Sequence, residues 1–336
     1  MKEFWTTFKK HAQGAVDVLS QPTAPFREKW VVKAIEKWCK KEGIDYNTDA
    51  FGNVWVNTGA LTNLPKLKLL FVAHLDHPGI VIHDLIAPNI MAGDWLGGMP
   101  KNLVGQRVKA FSTSTKLILD GEIFEHHEQA VKIRLDNSIA LPAFSAALPW
   151  GACLWFEGLE GGYTKTDDTW VIRAADDLFL VWTLLEALKA VRPIRGEVGV
   201  LFTRSEEKGL IGSYFAATES PLTHKTKVIS VDVTEVGEGR PEGVMVRWKD
   251  QDGQMDKKFA REIYERIKSR CRAFFQPGSS KGDTDSTAFS KLGFSTAGIS
   301  ITVGNYHNKV RGGVGPEFIS EADRRDLLKA LGVLMR

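Results

Sequence analysis

A chain of 336 residues with 43% hydrophobic and 25% charged residues has the balance of a soluble globular protein, and its length suits one large domain or two smaller ones. A formal net charge of only +3, with no dense Lys/Arg run interleaved with aromatics, excludes nucleic acid as the expected partner. No run of about 18 apolar residues occurs, so no membrane span is expected. The opening MKEFWTTFKKHAQG is interrupted by charges too early for a signal peptide. Cys39, Cys153 and Cys271 are widely separated thiols without CxxC spacing. That suits a reducing cytoplasm and argues against a disulfide framework or a cysteine zinc site.

In chain order, Phe26, Trp30, Ile35 and Trp38 recur near helical spacing before Gly43, a plausible helix stop. GNVWVNTG alternates Val54 and Val56 as a strand does. LKLLFVAHLDHPG (67–79) follows, and its continuous apolar run predicts a strand covered on both faces, as in a sheet between helices. From about 88 to 167 the pieces QRVKAF, KLILDGEIF, AVKIRLD and ACLWFEG read as short strands between turn residues, a small β-rich insert resembling a compact barrel. His126 and His127 in this insert read as exposed loop. DDLFLVWTLLEALKAV then places Leu178, Val181, Leu185 and Leu188 on one helical face. EVGVLF is a strand, GLIGSYFAA a helix start and KVISVDV a strand. KKFAREIYERIKSRC is a helix with Phe259, Ile263, Ile267 and Cys271 at i, i+4 steps, and STAGISIT is another strand. The last helix opens on Ser320 with Asp323 three residues on, a capping-box arrangement. Alternating helices and strands predict an α/β fold with a mixed central β-sheet sandwiched by helices. Residues 1–87 and 168–336 would form its discontinuous catalytic body, and 88–167 the inserted β-barrel-like domain.

The chemistry-bearing residues fall in similar places. His74 and Asp76 follow one strand, two positions apart, so their side chains leave the same face of an extended chain. Asp176 and Asp177 sit where WVIRAA passes into a helix. Glu206 and Glu207 follow GVLFTRS, Asp232 ends KVISVD, and His307 lies beyond GISITVGNY. The crevice outside the carboxyl ends of strands is where α/β sheets bind ligands. Imidazole with carboxylate and no thiolate suits Zn, Co or Mn. Two His and three carboxylates exceed what one tetrahedral zinc takes; a pair of metals about 3.5–4 Å apart with one bridging carboxylate accounts for them better. Taken singly, each residue has a plainer reading. A His at a strand end is usually a satisfied polar group, Asp176 and Asp177 suit helix capping, Glu-Glu pairs are usually solvated, and Asp232 fits a turn.

AHLDHPG, AADD, TRSEEKGLIGS, VDVTEVG and YHN, in that order, resemble the cocatalytic metallo-aminopeptidases that include glutamyl, deblocking and tetrahedral aminopeptidases. The resemblance spans nearly the whole chain, including TDAFGNVWVNTG and the insert with LVGQRVKAF. It implies that His74 binds one metal while Asp76 orients its imidazole, that Asp176 bridges two metals, and that Glu207 and Asp232 each bind one. His307 completes the second site. It implies Glu206 as the general base, facing water while Glu207 faces the metal, as neighbours in an extended segment point opposite ways. Two divalent ions, with zinc first and cobalt or manganese as alternatives, small peptide substrates and a homo-oligomer follow from the same resemblance.

The chain departs from that pattern at His77-Pro78, where an acidic and an apolar residue are common, and at Leu178, where Arg is usual. GNYHNKV and GDTDST also deviate, and Asp283 and Asp285 either shape a substrate pocket or form an Asx turn. The expected activity is release of N-terminal residues from peptides. A related deacylase or carboxypeptidase, or a metal-binding protein that has lost catalysis, are the alternatives.

Overall fold

The computed structural model describes residues 16–159, 161–191, 197–235, 242–278 and 282–336. The opening stretch weighed above as a signal peptide therefore lies outside the described residues, apart from its neighbours from Val16 onward. Among the described residues no helix is long and apolar enough to cross a membrane.

The central sheet has eight strands in the order β1 (Tyr46–Thr48), β2 (Val54–Val56), β12 (Val198–Thr203), β3 (Leu69–His74), β13 (Lys227–Glu235), β16 (Thr296–Val303), β14 (Val244–Arg247) and β15 (Ala273–Phe275). The four middle strands β12, β3, β13 and β16 are mutually parallel, while β2 and β14 join antiparallel, so the sheet is mixed as expected. Parallel neighbours bring their carboxyl ends to one edge, and Thr203 stands beside His74 in the register. The apolar run in β3 divides between two cores. Phe71 and Ala73 join the larger one with Val200, Phe202, Ile229 and Val231, while Leu70 and Val72 pack with Trp55, Leu201, Val228 and Phe289. A period of two along the strand is what feeds both faces.

Helices α1 (Val16–Leu19), α2 (Lys29–Glu42), α4 (Leu178–Ala190), α6 (Lys257–Ile267) and α8 (Glu321–Leu334) supply the larger core, and α5 (Ile211–Glu219) and α7 (Asp285–Lys291) the smaller. Gly43 ends α2 with φ 61°, as its position suggested. Helix α4 is buried all round from Leu178 to Leu188 rather than along one face. Each large side chain it buries stabilises the fold by about 1.5–3 kcal/mol. Helix α6 stops at Ile267, so Cys271 lies beyond it. At α8 the Ser320 hydroxyl accepts from Ala322 N, but Asp323 turns instead to Gly243 N and Arg272, leaving the capping box half formed.

Strands β4 (Gly79–Ala87), β5 (Ile90–Leu96), β6 (Arg107–Ser112), β7 (Ile118–His127), β8 (Ala130–Leu135) and β9 (Trp150–Leu154) close into a barrel, with the short α3 (Leu141–Ala146) before β9. Its first strand starts at Gly79, ahead of the expected boundary at 88, because the chain enters the barrel directly from the His77-Pro78 turn. His126 and His127 end β7 rather than lying in a loop. A separate three-stranded antiparallel sheet joins β10 (Tyr163–Lys165) and β11 (Thr169–Ile172) to the strand β19 (Glu317–Ser320), which follows the two-residue strands β17 (Lys309–Val310) and β18 (Gly313–Val314). WVIRAA therefore belongs to this small sheet and not to the central one.

Candidate metal centre

The edge formed by the carboxyl ends of β12, β3, β13 and β16 opens into a cleft of about 360 Å³ lined by His74, Asp176, Glu206, Glu207, Asp232 and Tyr306 among others. His74 is the last residue of β3. Asp232 lies inside β13 opposite Ser300, not at its end, so its side chain rises from the sheet rather than from a turn. Glu206 and Glu207 occupy a single 3-10 turn (Glu206–Lys208), not an extended segment, so the alternation expected of them does not apply. His307 lies in a second such turn with φ 58°. Asp176 comes from the loop that ends at Asp177, the residue preceding α4, and the peptide between the two is cis.

Two imidazoles meet one carboxylate. His74 Nε2 is 3.0 Å from Asp176 Oδ1, and His307 Nε2 is 3.1 Å from Asp176 Oδ2 and 3.1 Å from Glu207 Oε1. Potential ligand atoms of His74, Asp176, Asp177 and Asp232 lie within 4.8 Å of one another, as do those of Asp176, Glu207 and His307. The two groups share Asp176. Four of the predicted ligands line one cleft, and His307 joins them through Asp176 and Glu207.

Asp76 is fully buried, and its main bonds are to the turn bearing the glutamates. Its Oδ1 accepts from Glu206 N at 2.9 Å and its Oδ2 from Glu207 N at 3.1 Å, while its carboxylate stands 3.6 Å from His74 Nδ1. Glu28 secures the same turn from the other side, accepting from Ser205 N and Phe26 N with one oxygen and from Arg204 Nε with the other. Ser205 is held there at φ 56°, a left-handed conformation that non-glycine residues rarely adopt.

The sequence reading gave no role in the site to several residues that the structure places there, and Glu317 it did not single out at all. Asp177 offers no side-chain cap to α4; its Oδ2 accepts from His74 N. Glu317, fully buried on β19, accepts from Ala175 N and Asp176 N with Oε2 and from His307 N with Oε1. It ties the Asp176 loop to the His307 turn. His77 fills the remaining gap: Nδ1 meets the Asp176 carbonyl, and Nε2 lies 2.9 Å from Asn308 Oδ1. A lone Glu after Pro and a His in a turn carry no spacing signal. Of the two loop aspartates, Asp283 lines the cleft, whereas Asp285 is buried and accepts from the Thr203 and Ser213 hydroxyls.

The charge balance of the cleft is lopsided. Burial, then the neighbouring Asp176, pushes the Asp232 carboxyl up to about 8, and the same two causes push Glu317 up to about 8. Burial also holds Glu206 and Asp177 well above the usual carboxylate range. Burial opposes the charge on His307, but Glu207 and Asp176 outweigh it and raise the imidazole to about 10. His74 rises well above its ordinary value against burial, through Glu206, Asp176 and Asp76. Burial would raise Asp176, yet hydrogen bonds from His307 and His74 hold it low. The buried carboxylates repel one another here, and the two imidazoles only partly offset them. An oxygen-rich, thiolate-free donor set with this excess of buried carboxylate fits divalent cations.

Residues 174–311 match peptidase family M28. None of the curated proteins matches. Among solved structures, the chain is 22% identical to the Pyrococcus horikoshii TET1 peptidase, with 99% of each chain covered and a TM-score of 0.76. It is 17% identical to an aminopeptidase from Desulfurococcus kamchatkensis over 99% of this chain and 95% of that one, at a TM-score of 0.77. A Thermotoga maritima protein named an endoglucanase is 18% identical over 96% of both chains, at a TM-score of 0.71. One fold thus carries different names, and the site must argue the chemistry. The match to a peptidase family over residues 174–311 supports a peptide-bond hydrolase, and over nearly its whole length the chain has the fold of the tetrahedral aminopeptidases.

Proposed function

We propose that this chain is a metal-dependent aminopeptidase that releases N-terminal residues from small peptides. The observation that carries the reading is the pair of imidazoles converging on opposite oxygens of Asp176, with Glu207 and Asp232 beside them. In this reading His74, Asp176 and Asp232 would hold one divalent ion, and Asp176, Glu207 and His307 would hold a second, zinc first and cobalt or manganese next. Divalent cations, when bound, supply Lewis acidity, polarising the scissile carbonyl and acidifying water. The chain's own groups do the rest. Glu206, whose carboxyl burial raises, takes the proton from the attacking water and returns it to the leaving amine. Asp76 is a positioning residue, because it grips the amides of Glu206 and Glu207.

The chemistry is assigned to the α/β body, 1–87 and 168–336 apart from the barrel strand β4. The barrel insert is a separate domain. A cytoplasmic homo-oligomer is proposed with it; the Pyrococcus horikoshii relative assembles into a tetrahedron or a large octahedral shell. The test is elemental analysis of purified protein followed by a panel of aminoacyl-anilides, N-acylated amino acids and C-terminally varied dipeptides, before and after chelation. Chelation-sensitive cleavage of the anilides alone is the expected result. Preferential cleavage of the acylated or C-terminally varied substrates assigns a deacylase or a carboxypeptidase instead. Metal without turnover of any substrate assigns a metal-binding protein that has lost catalysis.

A further inference from the structure

The barrel reaches the cleft through the segment that follows β5. Beyond the end of β5, Gly97 and Gly98 run along the site, and neither position has space for a side chain. A Cβ on Gly97 would lie 2.9 Å from Glu207 Oε2 and 3.1 Å from the Pro78 backbone, at a φ of 85°. A Cβ on Gly98 would lie 1.8 Å from His307 Nδ1 and 2.6 Å from Cε1, inside the ring's own envelope. His307 Nδ1 itself is buried and has no hydrogen-bond partner. An imidazole that ligates through one nitrogen is ordinarily oriented by a bond from the other. Here that orienting bond is missing, and the Gly98 backbone stands in its place.

The ring has little room to retreat. Tyr306 stacks on it at 3.7 Å between centroids, His77 meets it edge-on at 6.5 Å, and its backbone N–H is held by Glu317. We infer that the Gly97–Gly98 backbone of the barrel is a positioning element of the metal centre, fixing the His307 ring by contact on its Nδ1 side, where no hydrogen bond holds it, and packing against the Glu207 carboxylate. This rests on His307 and Glu207 being ligands, as proposed above. A methyl at Gly98 requires a relative shift of about 1.6 Å to restore ordinary contact, whereas metal–ligand distances tolerate about 0.2 Å.

The test is metal titration calorimetry of the full chain with zinc alone, on the wild type, Gly98→Ala, His307→Ala and the double variant, each checked for folding by urea unfolding after chelation. Expected are two ions on the wild type and a loss of about 100-fold or more in affinity for one ion in Gly98→Ala. In the His307→Ala background, Gly98→Ala should bring no further loss, because the ring it displaces is gone. Gly93→Ala, whose Cβ would meet Val81 O and Ile80 in the barrel wall, serves as the control for barrel distortion and should leave zinc affinity unchanged. Unchanged affinity in Gly98→Ala, equal losses in both backgrounds, or the same loss in Gly93→Ala overturns the inference while the metal reading stands. A wild type that binds no zinc overturns the metal reading itself. If Gly98→Ala does not fold, Gly98→Ala with His307→Asp relieves the contact and should fold, and failure to do so counts against the contact as the cause.

Discussion

Removing metal should reverse the usual dependence of stability on pH. In the metal-free protein the folded state holds Asp232 and Glu317 near 8, whereas unfolded carboxylates titrate near 4. A group with a raised folded pKa contributes stability that is present below its unfolded value and lost as pH climbs through the folded one. Between about pH 5.5 and 7.5 the native chain therefore binds more protons than the unfolded chain, and stability falls as pH rises. One extra proton gives a slope of about −1.4 kcal/mol per pH unit, or about 3 kcal/mol across that window. The second carboxyl doubles it, so about 3 kcal/mol is the lower figure. His307, held near 10, adds in the same direction above its ordinary value of about 6.5. Asp176, held low, is ionised throughout the window and contributes no slope. A loss of about 3 kcal/mol is large against a typical total of about 5–15. Urea unfolding of chelated and zinc-loaded protein, at one fixed protein concentration, measures it. The chelated protein should weaken as pH rises, and the loaded protein should not, since metal replaces the protons. A chelated protein equally stable or more stable at the higher pH refutes the reasoning.

Glu206→Gln should keep both ions by elemental analysis and lose about 10²–10⁴-fold in kcat; full activity would remove it as the base. Glu317→Gln leaves at least one of the Ala175, Asp176 and His307 amides without its acceptor, costing about 1.5–3 kcal/mol in urea unfolding of the loaded protein; no change would show that these bonds do not brace the site. Asp76→Asn keeps an acceptor for only one of the two glutamate amides, so kcat should drop roughly tenfold or more with bound metal retained, and an unaltered kcat would deny its positioning role. Peptidase activity should decline toward acid as protons compete for His74 and His307, and full activity well below about pH 6.5 would contradict ligation by them.

Much of the fold was legible because its signals are local. The apolar run of β3 fed two cores as its unbroken hydrophobicity required, and Gly43 stopped α2 where a left-handed residue was needed. WVIRAA misled because pairing partners are not written in a strand's own residues; its partner β19 lies well over a hundred positions away. The glutamate pair reads as an extended segment until Ser205 turns left-handed, and it does so because Glu28, near the other end of the chain, accepts its amide. Glu317 and Gly98 were invisible for the same reason. Their importance is a matter of what they touch.

By itself the sequence determined which donor atoms exist and in what order they occur, since side-chain chemistry and periodicity are properties of short segments. It also set the alternation of helix and strand that puts His74 and the glutamate turn at the carboxyl ends of central strands. Only the tertiary structure decided that one carboxylate would face two imidazoles, and that buried carboxylates would outnumber the cations around them. It also decided that a glycine backbone from the barrel would stand against His307. Distances between groups far apart in the chain are fixed by packing of the whole, and no stretch of the chain encodes them alone.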